Sequence, residues 1–286
     1  MDVDEEAYIL LLLADGNLPT GSFVASSGLE SYITHGFFAR SSTKAPLQSV
    51  CEFVEDSLGT YARTASPFVT DAHQIVSSMT CGTMTTEDAL PQLITLDDLY
   101  DAMTLNHVAR RASQGQGVAL LTLYSKGFSA PADSYSVGPP PLNASAEKMG
   151  KIVDKMKFTI RKGDTPGHLP ICWGILTAAL GLGVERSLRL HLFLHARGLL
   201  SAAVRLNAIG PYAAQQLLLH TIKPLVQQET QRCTDLRTGV MEIQSGTQPS
   251  PSDRASVTVD GPATTWPLGE ILATRHDLQH SRVFNS

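Results

Sequence analysis

Apolar residues return every three or four positions along most of this chain, and polar ones fill the gaps. The plainest case is Glu185 to Leu206. There Leu188, Leu192, Ala196, Leu199, Ala203 and Leu206 share one helical face, while Arg186, Arg189, Arg197 and Arg205 fall opposite. Glu52 to Ala65 places Phe53, Leu58 and Tyr61 on recurring turns, and Leu93 to Gly115 does the same with Leu96, Leu99, Met103 and Val108. In that last block Asp97, Asp98 and Asp101 come early and Arg110 and Arg111 late, the order that complements a helix dipole. Gly210 is expected to end one helix and Pro211 to open the next, which packs Ala214, Leu217 and Leu218 until Pro224 bends or restarts it. Leu169 to Val184 lacks charge but is interrupted by Pro170, Gly174, Gly181 and Gly183, so it reads as a buried helix rather than a membrane span.

No alternation of period two is sustained and no repeat recurs at a fixed spacing. The expected fold is therefore all-α: a single-domain bundle of roughly ten helices over residues 1–286. Three stretches lose periodicity and fill with turn formers, namely 77–86, 129–145 with Pro139-Pro140-Pro141, and 239–265. Their few apolar groups cannot offset the entropy of ordering, so they read as flexible inserts. Residues 275–286 follow as a tail.

Composition narrows the function classes. The chain is 43% hydrophobic with only 6% aromatic residues, a balance that suits close-packed helices. A net charge of −5 gives no field that attracts nucleic acid. Asp2, Asp4, Glu5 and Glu6 precede the apolar run Ile9–Leu13, the wrong charge for a secretory signal, so the expected location is cytoplasmic. Cys51, Cys81, Cys172 and Cys233 share no short spacing, which indicates neither a zinc site nor a redox pair.

Two histidine pairs have chelating i,i+4 spacing. His191 and His195 border an apolar face and lack the glutamate of a metalloprotease helix. His276 and His280 flank Asp277, are expected to be more exposed, and are the weak candidates for transient metal contact. The arginines of 186–205 are read as a solvated face, with an acidic partner as the alternative. Neither a phosphate-binding loop nor a Gly-x-Ser-x-Gly elbow occurs. Gly115-Gln116-Gly117 and Gly181-Leu182-Gly183 are read as packing glycines. No catalytic residue and no cofactor is assigned.

Two segments stand out. Asp15 to Glu30 wraps small residues around Phe23, and Pro19 and Gly21 force a turn; it is either a tight helical corner or a flat surface on which Ser22, Ser26 and Glu30 bond a partner. The tail carries Arg275, His276, Arg282 and Phe284. It either folds back on its own domain or docks elsewhere, with Phe284 as anchor and Arg282 as charged fork.

Leu18-Pro19-Thr20-Gly21-Ser22-Phe23 followed by Ser26-Ser27-Gly28-Leu29-Glu30 resembles the N-terminal signature of the urease accessory protein UreF family. Gly167-His168-Leu169-Pro170, Arg205-Leu206 ahead of Gly210, and Ser281-Arg282-Val283-Phe284-Asn285-Ser286 continue the resemblance over nearly the whole chain. Gly16, Ser22 and Val283 depart from the family's usual serine, glycine and leucine. The long loops point to a eukaryotic, fungal-type member.

The resemblance implies a non-enzymatic, usually dimeric chaperone that joins UreD (also called UreH) and the GTPase UreG to bring nickel to apo-urease. It makes Arg275, His276, Ser281, Arg282 and Phe284, with Pro19, Gly21, Phe23, Ser26, Gly28 and Glu30, the partner-binding candidates. Glu30 is the residue to test for communication with the GTPase, by positioning it; a carboxylate cannot stabilise a phosphate transition state as an arginine does. A generic helical scaffold and a histidine-based nickel binder are the rival readings.

Overall fold

The computed structural model describes residues 2–20, 22–38, 46–129, 144–241 and 261–286. They contain helices and no strand, as the periodicity predicts. In chain order these are α1 (Val3–Leu13), α2 (Leu29–Thr34), α3 (Pro46–Thr80), α4 (Thr86–Met103), α5 (His107–Leu123), α6 (Ala144–Lys162), α7 (Leu169–Ala179), α8 (Val184–Arg205), α9 (Pro211–Leu217), α10 (Lys223–Cys233) and α11 (Pro267–Thr274). A 3₁₀ turn, Ser22–Val24, precedes α2, and another, Arg275–Leu278, follows α11.

The 35-residue α3 is the central rod. Its C-terminal half joins α4, α5, α6 and α7 around one core that includes Phe68, Val76, Leu93, Leu121, Ile152 and Trp173. Its N-terminal half meets α8 and α10 around a second core with Val50, Phe53, Leu199, Ile222 and Phe284. Every residue from Pro170 to Ala178 of α7 is buried, as the charge-free run predicts. Gly174 is what allows that contact: a Cβ there would lie 2.7 Å from the Val69 carbonyl oxygen and 2.9 Å from the His73 nitrogen. Gly117 likewise admits the Gly167 carbonyl, whereas Gly115 meets nothing within 4 Å and has no packing role.

The loop before α7 is held by carboxylates. Asp97 is fully buried and accepts from the Gly167 and His168 backbone nitrogens at 2.6 and 2.8 Å and from the Thr165 hydroxyl at 2.6 Å. His168 bridges Asp101 and Ser113, so the Gly167–Pro170 motif forms a rigid corner.

Between the two cores α3 and α8 share a polar waist. Tyr61 meets the His191 Nε2 at 2.9 Å and stacks on the His195 ring at 4.0 Å, while His195 Nε2 lies 3.1 Å from the Ser57 hydroxyl. Burial pushes His191 down to about 3 and His195 down to about 4. Both are neutral packing groups.

Several boundaries differ from the expectation. Residues 77–80 belong to α3, because Met79 is a core residue hidden among serines and threonines; the turn begins at Cys81. Leu93–Gly115 is two helices, since the Asn106 side chain accepts from the Val108 and Ala109 nitrogens and caps a fresh helix. After α8 the left-handed residue is Asn207 (φ 56°), while Gly210 has an extended backbone and precedes α9. Of the expected insert 129–145, residues 130–143 lie outside the described residues and 144–145 are helical; of 239–265, residues 242–260 lie outside. Val240 packs into the first core. Residues 261–265 run along α3, where Thr265 donates to the Thr60 hydroxyl at 2.8 Å and Thr64 donates to the Ala263 carbonyl at 3.1 Å.

Candidate docking seam

The corner and the tail, more than 250 positions apart in sequence, form one seam. Ser27 and Gly28 both adopt positive φ, turning the chain sharply into α2. A Cβ on Gly28 would lie 3.5 Å from Ala273, an ordinary van der Waals contact, so α2 and α11 lie close and it is the φ of +87° that favours glycine there. The turn delivers Glu30, only 4% exposed, against the tail backbone. Its two carboxylate oxygens accept the Val283 and Phe284 N–H groups at 2.6 and 3.2 Å. Charge-assisted bonds of this kind are about twice as strong as neutral ones.

Further contacts extend the clamp. The Asn285 N–H donates to Val24 oxygen at 2.8 Å, and the Ser26 N–H donates to Ser286 oxygen at 2.5 Å. The Phe284 ring enters the second core under the Arg205 guanidinium, 4.4 Å away, and Arg205 also donates to the Phe23 carbonyl. His276, fully buried, donates from Nε2 to the Phe284 carbonyl at 3.2 Å. That leaves His276 Nδ1 without a hydrogen bond, 3.8 Å from Glu30. The Ser26 hydroxyl and the Gln279 side-chain oxygen are likewise buried and unbonded.

Asp277 is the outer fastener. Both its oxygens accept from Arg111 at 3.0 Å; Arg282 adds a bond at 2.8 Å and His107 lies at 3.2 Å. The Arg111 hydrogen bonds, with help from His107 and Arg282, hold its carboxyl at about 2. Beside this fastener opens a groove of about 1030 Å³, walled by Pro19, Thr20 and the tail and floored by Ala112, Gly115 and Ala119 of α5.

The sequence-derived candidates thus divide. Glu30, His276, Ser26 and Phe284 are interior members of the seam, and Gly28 shapes it. Pro19, Phe23 (61% exposed), Arg275, Ser281 and Arg282 face outward. Gly21 lies outside the described residues. One open alternative is resolved and one expectation corrected. The tail folds back on its own domain, because Arg205 and the second core give Phe284 an apolar and cationic seat. His276 is buried rather than exposed, so it and His280 do not form an open chelating pair, and no cluster of three metal-ligating side chains occurs among the described residues.

The arginines of α8 are not a merely solvated face either. Arg186 pairs with Glu6 at 2.8 Å, Arg197 donates to the Ala14 carbonyl, and Arg205 holds the corner. Sequence reading missed Arg111, His107 and Asp277 as seam residues; Asp277 between two histidines was a visible signal, but its partners on α5 were not.

An all-helical chain fastens its own tail to its N-terminal corner beside an open groove. Comparison with known proteins gives the family: the UreF model matches residues 47–222, and this chain belongs to the UreF family. It is 42% identical to "Urease accessory protein 6" of Cryptococcus neoformans var. grubii, over 99% of this chain and 98% of that one. An "Uncharacterized urease accessory protein UreF-like" of Schizosaccharomyces pombe is 25% identical over 100% and 99% of the two chains. "Urease accessory protein F" of Oryza sativa subsp. indica is 28% identical over 84% and 76%.

Proposed function

We propose that this chain is a non-enzymatic accessory protein of urease maturation. It acts in the cytoplasm as a homodimeric adaptor that joins UreD (UreH) and the GTPase UreG and assists the transfer of nickel, as cargo, to apo-urease. Family membership and the names of its relatives support the urease role. No described helix is long and apolar enough to cross a membrane.

The observation that carries the reading is the clamp of Glu30 on the Val283 and Phe284 N–H groups. It holds the tail in one conformation, so the outward side chains Arg282 and Val283 are preorganised beside the groove rather than ordered at the moment of binding. Glu30, His276 and Phe284 position this surface from within. Arg282, Arg275, Phe23 and Pro19 are the residues that meet a partner.

The test is urease activity and urease nickel content in cells that supply UreD and UreG with the chain intact, absent or carrying Arg282→Ala. Arg282 is exposed, so the variant is expected to fold. Activity and nickel falling together without the chain, and partly with Arg282→Ala, is the expected result. Full nickel loading in its absence sinks the proposal, and full loading with Arg282→Ala removes the tail surface from it.

A further inference from the structure

A second surface of this chain, on α6, takes no part in the seam. Helix α6 carries six cationic residues, Lys148, Lys151, Lys155, Lys157, Arg161 and Lys162, against two acidic ones, in a chain whose net charge is −5. Its apolar side, Met149, Ile152, Val153 and Met156, is buried against the first core, so the helix is a fixed platform. At the centre of the exposed side stands Phe158, 58% exposed.

Lys155, Arg161 and Lys162 lie three or four positions from Phe158, the spacing of neighbours on one helical face. The Lys162 ammonium sits 5.1 Å from the centre of the Phe158 ring. Lys151, Lys155 and Lys162 have carboxylate neighbours, Glu147 at 2.7 Å, Glu87 at 2.9 Å and Asp164 at 3.9 Å. Lys148 and Arg161 make no ion pair or hydrogen bond with a described residue. Three of the four helical neighbours of Phe158 are thus cations and the fourth is Asp154, so an exposed aromatic ring stands in a mainly positive surround with Arg161 beside it.

We infer that the exposed face of α6 docks an acidic protein segment, one with an apolar residue to cover Phe158 and carboxylates about one helical turn to either side for Lys155, Arg161 and Lys162. Charge complementarity selects this occupant over other anions. Glu147, Asp154, Asp164 and Glu87 interrupt the positive face, so a continuous run of phosphates meets repulsion, while discrete carboxylates can pass between them. A lipid surface is disfavoured because the apolar side of α6 is committed to the core and only Phe158 is left to insert. The inference needs no urease partner and goes beyond the adaptor reading.

The experiment titrates the full chain with a short fluorescein-labelled amphipathic peptide of glutamate and leucine, followed by anisotropy. A single-stranded oligonucleotide and phosphatidylserine vesicles serve as competitors. Phe158→Ala and the double variant Arg161→Glu/Lys162→Glu are compared with the intact chain, and each variant's melting curve is recorded to show that it folds. Peptide binding that is lost at high salt, weakens about tenfold in Phe158→Ala and disappears in the double variant is expected. Equal affinity in all three proteins overturns the inference. Tighter binding of the oligonucleotide or the vesicles overturns it in favour of a polyanion or membrane surface. Arg282→Ala is expected to keep full peptide affinity, which separates failure here from failure of the tail surface.

Discussion

The α3–α8 waist and the tail seam both bury histidine, and they do so in opposite ways. At the waist His191 and His195 find Tyr61, Ser57 and Trp173. Burial holds both rings neutral over the ordinary pH range. At the seam His276 binds the Phe284 carbonyl through one nitrogen and leaves the other bare toward Glu30. Ser26 and Gln279 add two more buried, unbonded atoms there. Each waist ring has a side-chain partner on α3 through its Nε2. A buried polar atom left without a partner carries a desolvation penalty of about 1–3 kcal/mol, and the three at the seam mark a part of the fold held less securely than its contacts suggest.

Acid should break the waist first, and this is the largest effect expected. A histidine lowered in the folded state binds protons less readily than in the unfolded chain. Its neutral packing therefore contributes fully above the unfolded value near 6.5, and stability is lost as pH falls from there toward the folded values of about 3 and 4. Down to about pH 5 each histidine removes roughly 2 kcal/mol. Urea denaturation at pH values from about 8 to 5 measures this, and His195→Gln should reduce the slope, with His191 and the buried His73, which desolvation also lowers, carrying the remainder. An unchanged slope in that variant would show that the waist is not the acid-sensitive element.

The next effect sharpens the contrast from the other side. Phe284→Ala removes an aromatic ring from the second core, and substitutions of this kind cost about 3–5 kcal/mol in a full core. The lower end is expected here, because only the tail and Arg205 must relax. Limited proteolysis should cut the variant near residues 279–286 while α3 and α8 stay protected. Global unfolding with no local stage would mean that the seam is as integral as the waist.

How far each region could be read from sequence follows the same division. The waist helices are periodic, and the sequence expectation places α8 to within a residue; what it misses are single side chains that override composition, such as Met79 within a polar run and Asn106 as a cap. The corner and the tail were both visible as motifs. Their union was not, because Glu30 with Val283, Arg205 with Phe284 and Arg111 with Asp277 are contacts that no local spacing encodes. The exposed half of the tail can be named from sequence, but the half that folds inward needs the second core to be known first.

Glu30→Gln tests the clamp at a smaller scale. An amide has one acceptor oxygen, so it can keep one of the two tail N–H bonds and must turn its own NH₂ toward the other. A loss of about 1–3 kcal/mol follows. Hydrogen exchange at Val283 and Phe284 should accelerate markedly, while amides around Tyr61 and His191 are unaffected. Equal acceleration at both places would abolish the distinction between seam and waist.

The smallest effect belongs to Asp277, where electrostatics are at their most conspicuous and their net contribution is lowest. Its carboxyl, held at about 2 by Arg111, contributes above the unfolded value near 3.8 and is lost as pH falls through about 2. The arginines it engages are about half exposed, Arg111 at 51% and Arg282 at 41%, so water screens the fork and the net contribution is about 1 kcal/mol or less. Asp277→Asn should therefore barely move the urea midpoint at neutral pH. It should still raise the protease sensitivity of the tail, because the Arg111 that grips Asp277 also bonds the Asn285 carbonyl at 3.1 Å. A large global loss from this substitution would mean that the fastener bears on the core, and that the tail is held as firmly as the helices beneath it.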